Sequence, residues 1–65
     1  MKNLGMFKTA LGKTYVCHLD EENGKVITFG PLPDMRPWTV EAADAEEAAK
    51  KISGEVGYGL MIPPA

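Results

Sequence analysis

Sixty-five residues and 7.0 kDa allow one domain at most. A chain this short buries only about 60% of the surface its unfolded form exposes, which leaves no room for a two-domain enzyme, a full dinucleotide-binding fold or a barrel. Hydrophobic residues make up 45% and charged residues 25%, a globular rather than a disordered composition, and seven basic against nine acidic residues give a net charge of -2, which disfavours general phosphate-backbone binding.

No uncharged stretch approaches the roughly 20 apolar residues of a membrane span. Met1-Lys2-Asn3-Leu4-Gly5 holds one lysine and no apolar core segment, so it does not read as a signal peptide. Cys17 is the only cysteine. With no intramolecular disulfide available the chain suits a reducing compartment, and a cytoplasmic location is expected. A small domain without bridges or a metal leans on other contacts, so a protein partner or a homodimer is expected.

Leu4–Ala10 has strand character, weakened by Gly5, and Leu11-Gly12-Lys13 turns it into the next strand. Thr14–Leu19 and Lys25–Phe29 are rich in β-branched and aromatic residues. Asn23-Gly24 between them predicts a type I′ hairpin, whose two central residues both take positive φ. Tyr15, Cys17 and Leu19 share one face of the first arm, and burying them leaves His18 in water. Gly30–Pro37 carries three prolines and predicts an extended, stiff loop. Trp38–Ala42 reads as a short strand with Trp38 and Val40 on one face.

Asp44 is a good N-cap, and Glu47 three residues on completes a capping box. Ala45, Ala48, Ala49 and Ile52 fall at i, i+3, i+4 and i+7 and predict the buried stripe of a helix. Lys50 and Lys51 are expected near the negative end of its dipole, and Gly54 is expected to end it. Tyr58–Ile62 is the last strand, stopped by Pro63-Pro64. Residues 1–65 thus predict a single α+β domain: an antiparallel sheet of three to five strands with one α-helix packed on one face, βββαβ-like. The sheet's second face belongs to solvent, a partner or a second copy, and carries Val16, Ile27 and Phe29 or their alternates.

The residue types give little to chemistry. His18 is the only histidine, so no triad or paired-imidazole metal site exists, and Cys17 points to the opposite face of its strand. Asp20-Glu21-Glu22 lacks the ligand spacing of a calcium loop. The glycines of Gly54–Gly59 follow a helix, whereas phosphate-cradling loops precede one. No catalytic, metal or cofactor residue is expected. The candidate partner-binding residues are Met35, Arg36 and Trp38, because Trp and Arg are enriched among interface hot spots and these three sit in or beside the proline-rich loop. Trp38 also reads as the largest piece of a small core.

Several elements carry a further pattern. Tyr15 lies near a strand start and leads to an acidic-glycine hairpin, Asp20-Glu21-Glu22-Asn23-Gly24. Phe29-Gly30-Pro31-Leu32-Pro33-Asp34 supplies a Phe-x-x-Leu-Pro element, followed by a short strand containing Thr39 and the acidic-start helix Ala45-Glu46-Glu47-Ala48. Together with the proline-ended Met61-Ile62-Pro63-Pro64, this resembles the N-terminal domain of HicB-like antitoxins. The glycine-cysteine step usual after the family's Pro-Asp-Leu-Pro-like turn is absent, and the helix is short. The resemblance implies a βββαβ partner-binding domain that masks a small toxin RNase. The chain ends where many family members continue into a DNA-binding domain, so no operator-binding part is implied.

The function expected is a small non-enzymatic protein-interaction module, HicB-like antitoxin or phage-type accessory or inhibitor protein. The alternative is a nucleic-acid-binding domain of double-stranded-RNA-binding-like architecture. Lys2, Lys8 and Lys13 with Phe7 and Tyr15 would supply its basic-aromatic face, although the acidic helix start opposes phosphate contacts.

Overall fold

A computed structural model describes all residues, Met1–Ala65. Strands β1 (Lys2–Thr9), β2 (Thr14–Asp20), β3 (Lys25–Phe29) and β4 (Pro37–Glu41) precede helix α1 (Ala45–Val56), and β5 (Gly59–Ile62) closes the chain. All pairings are antiparallel, in the order β4-β3-β2-β1-β5. The α+β architecture is the one expected, with α1 on one face. After β4 at one edge the chain crosses that face as α1 and returns to the far edge as β5.

Period-two alternation decides the faces. Tyr15, Cys17 and Leu19 of β2 and Val26 of β3 are buried beneath α1, with Phe7 of β1 beside them. Ala48 and Ile52 close the core from the helix, and Trp38, Val40, Ala45, Ala49, Val56 and Met61 pack around it. Because the stripe is mostly alanine, α1 lies close to the sheet and Ile52 is its main apolar contribution, about 2 kcal/mol.

β1 needs a break in alternation, because both Leu4 and Phe7 are buried. A bulge supplies it: Asn3 pairs with His18 but Gly5 with Cys17, so Leu4 is the extra residue. Gly5 takes φ 95° there, and its N–H donates to Asn3 Oδ1 at 2.9 Å. The backbone of Ile62 and Pro63 occupies the space a Cβ would need. The glycine that weakened the strand in sequence is thus what lets β5 approach.

Four expectations need correction. The β2–β3 turn is not type I′: no residue other than glycine has positive φ, and Gly24 alone takes it, at 63°. A longer loop forms because the Asp20 carboxylate accepts from Asn23 Nδ2 at 2.7 Å and Asn23 N at 3.4 Å. Bonding to the Asn23 side chain, more than to the backbone, holds the Asp20 carboxyl below its ordinary range. The Gly30–Arg36 loop is folded back rather than extended. Gly30 N–H donates to the Arg36 carbonyl at 3.1 Å and Leu32 N–H to the Thr14 carbonyl at 2.8 Å.

Gly54 does not end α1. The helix runs to Val56, which packs on the core, and Gly57 caps it with its N–H on the Ser53 carbonyl. Lys50 and Lys51 therefore sit mid-helix, and the last turn has no basic residue. The N-terminus is as expected, with Glu47 N–H on Asp44 Oδ1 at 2.8 Å. The Glu47 carboxylate accepts from Ala43 N–H at 2.7 Å, one residue before the cap.

Two stability measurements follow. Thr28 Oγ1 is fully buried without a hydrogen bond of ordinary geometry. The near-isosteric Thr28→Val removes that unsatisfied hydroxyl and is expected to stabilise by about 1 kcal/mol in urea unfolding; a loss would show that the hydroxyl is satisfied. Gly5→Ala is expected to cost about 3 kcal/mol or more. Gly12→Ala, also at positive φ but with open space around it, is expected to cost about 1 kcal/mol. Equal losses would remove the role assigned to the β1–β5 approach.

Candidate interaction surface

The strand register sets two lines of residues across the middle of the uncovered face, flanked by Lys8, Thr14 and Leu60 on one side and by Asp20, Lys25 and Glu41 on the other. Pro37, Phe29, Val16, Met6 and Ile62 are paired in one line across all five strands. Thr39, Ile27, His18 and Asn3 form the neighbouring line. The first line carries no charge. Met6 and Ile62 are 45% and 49% exposed, and Leu60, next to Ile62 on the same face, is 65% exposed. Val16, Ile27 and Phe29 are half-buried by their neighbours. His18 stands edge-on to Phe29 with ring centroids 6.0 Å apart. Met6, Val16 and Ile62 line a groove of about 490 Å³ walled by Lys8, Pro63 and Pro64. An apolar row crossing a whole sheet is a surface that excludes water readily when covered.

The charged groups lie outside that row and are unevenly distributed along the strands. Seven of the nine acids, Asp20, Glu21, Glu22, Glu41, Asp44, Glu46 and Glu47, stand at the end formed by the β2–β3 loop, the end of β4 and the start of α1. Ala42 N–H on the Gly24 carbonyl ties those segments together. Lys2 and Lys25 share that end, Lys25 paired across the strands with Asp20 and Glu41, so it is net negative rather than purely acidic. Lys8, Lys13 and Arg36 stand toward the opposite end, where the β1–β2 turn and the proline loop meet, with Asp34 in the same loop and Glu55 beside Arg36.

Of the three residues expected to bind a partner, the structure brings two together. Arg36 and Trp38 line a shallow groove with Tyr15, Pro31, Glu55 and Val56, on the helix side of the sheet. Trp38 is half-buried and meets Tyr15 edge-on, 6.0 Å between centroids and 89° between planes. It is therefore partly a core residue, and Arg36 is the exposed polar member of the pair. Met35 is 53% exposed and is not part of that groove. Met6, Leu60 and Ile62, which sequence reasoning did not single out, belong to the larger apolar surface. Their signal was period-two alternation, hidden in β1 by the bulge and in β5 by its length of four residues.

The basic-aromatic face does not exist as expected: Phe7 and Tyr15 are buried in the core, so no base can stack on them. No helix is long and apolar enough to cross a membrane. No group of three or more His, Cys, Asp or Glu side chains is placed to hold a metal ion.

Cys17 is fully buried. Burial pushes its thiol up from the ordinary range, while Thr28 across the strand pair and the Phe7 backbone ease it partly back. A thiol held protonated and out of water is a poor nucleophile. A thiol reagent at neutral pH is expected to label Cys17 only as fast as the domain opens, and at once in denaturant; fast labelling of folded protein would place the thiol in contact with solvent.

Comparison with protein-family models, with curated proteins and with solved structures returns no match.

Proposed function

We propose that this chain is a small, non-enzymatic protein-interaction module that works through the open face of its sheet. The observation that carries the reading is the uncharged Pro37–Phe29–Val16–Met6–Ile62 row, which spans all five strands and is covered by no element of the fold. Apolar surface of that continuity, rimmed by charge, marks a contact site more often than it marks idle surface. The HicB-like form of the reading names a small toxin RNase as the partner. It is supported by the resemblance and by electrostatics, since an end where seven acids outnumber Lys2 and Lys25 attracts a basic partner over distance. A phage-type accessory or inhibitor protein uses the same surface in the same way. Nucleic acid is the less favoured ligand, because the stacking aromatics it would need lie in the core.

A tagged chain retained on resin from host lysate, with nuclease treatment, tests the reading. One stoichiometric protein is expected, surviving nuclease and lost when the bait carries Val16→Glu. Met35→Ala and Arg36→Ala ask the same of the loop, and unchanged retention in both assigns the partner to the sheet alone. A bait that retains neither another protein nor a second copy of itself, or that retains only nucleic acid released by salt, would remove the proposal.

A further inference from the structure

We infer that the open sheet face is occupied by a second copy of this chain, packed face to face about a two-fold axis that runs along the apolar row. The inference rests on the interaction-module reading and names the occupant of its surface. Three observations carry it: the area offered, the position of the charges and the arrangement of the row.

Five strands give a face about 24 Å wide, and the strand lengths make it about 17 Å tall. With side-chain relief that is on the order of 500 Å² of accessible surface per copy, or roughly 1,000 Å² in the pair, the lower bound for a specific interface and the size of a weak, concentration-dependent dimer. The inner faces of two such sheets pack at the spacing of a β-sandwich.

The charges select the axis. A two-fold axis parallel to the strands would set like ends of the two copies together, the net-negative end of one, seven acids against Lys2 and Lys25, facing the same end of the other. An axis along the row reverses one copy end for end. The net-negative end of each copy then lies toward the partner's end bearing Lys8, Lys13 and Arg36, where three cations outnumber Asp34 and Glu55, and the repulsion between like ends is relieved. The row has no charge to bury, and it meets itself: Val16 faces Val16 of the second copy, and Phe29 faces Phe29.

Sedimentation across micromolar to millimolar concentration tests the inference. Wild type is expected to pass from monomer to dimer, more weakly as salt is raised. Val16→Glu or Met6→Lys, both on the uncovered face, is expected to keep the circular dichroism of the wild type and to raise the dimer dissociation constant by about 100-fold or more, because each buries an unpaired charge. The orientation is tested by coupling Phe29→Cys with a short bismaleimide, because facing sheets about 10 Å apart hold the two Cα atoms too far apart for a direct disulfide. Cys17 is fully buried, so the introduced thiol is the one that reacts. A cross-linked Phe29→Cys dimer is expected from an axis along the row. No cross-link in a protein that still dimerises would overturn that axis.

A chain that stays monomeric at millimolar concentration overturns the dimer. So does a dimer indifferent to Val16→Glu and Met6→Lys but lost in Thr39→Pro, which would place the contact on the open edge of β4. The interaction-module reading fails separately: it survives a monomeric result if the monomer still retains a partner that Val16→Glu releases.

Discussion

One twelve-residue helix has to cover a five-stranded sheet, and it covers one face only. A helix of that length is about 18 Å long and about 10 Å across. The sheet is about 24 Å wide. Everything notable about the molecule follows from that mismatch. The covered face gathers Phe7, Tyr15, Cys17, Leu19 and Val26 into a core only as thick as an alanine stripe and Ile52 can seal. The uncovered face keeps the alternate residues of the same strands, and those alternates are Met6, Val16, Ile27 and Phe29. A β-sheet with polar alternates would be finished at this point. Here the strands are apolar on both sides at their centres, as strands buried on both faces are.

The bulge at Leu4 shows how much of this was legible. The β2 face could be read from the chain because its alternation is unbroken, and the structure buries the set the sequence favoured; in β3 both sets are apolar enough that the sequence left the choice open, and the structure buries Val26 and Thr28. In β1 the same rule fails at Leu4 and Gly5, where one extra residue swaps the faces, and nothing local announces a swap that exists to admit the Ile62–Pro63 backbone. The hairpin turn failed for a related reason. Asn-Gly permits type I′, but the Asp20 carboxylate offers Asn23 two hydrogen bonds that a two-residue turn would forgo. At the helix end Gly54 looked like a stop. Val56 had a place in the core, and tertiary packing extended the helix past a poor helix former.

The candidate site divides along the same line. Arg36 and Trp38 are near in sequence, and the fold keeps them near, but it turns the indole toward Tyr15 and spends much of its surface on the core. Met6, Val16, Phe29 and Ile62 are scattered over the chain and become one row only through the register of three strand pairs. Long-range pairing of that kind is invisible to periodicity within single segments. The gathering of acids at one end of the strands is of the same origin. Glu22 of the hairpin and Asp44 at the helix start are 22 positions apart in the chain, and the Ala42–Gly24 bond sets their segments side by side.

The two edges of the sheet narrow the ways this surface is used. β5 offers four residues and then Pro63 and Pro64, which have no N–H to give, so a partner strand gains little there. β4 begins with Pro37 and ends with Glu41, the same protections in a strand of five. With both edges blunted, adding a strand is the weaker route to a partner, and the face is the stronger one. An interface on the face also answers the domain's own deficit. Thirteen of 65 residues are buried, too few to leave a wide stability margin, and covering the second face would make Val16, Ile27 and Phe29 core residues. Binding and folding then draw on the same apolar row, so a partner at working concentration stabilises the fold, and a charge placed in the row removes the partner before it disturbs the packing beneath α1.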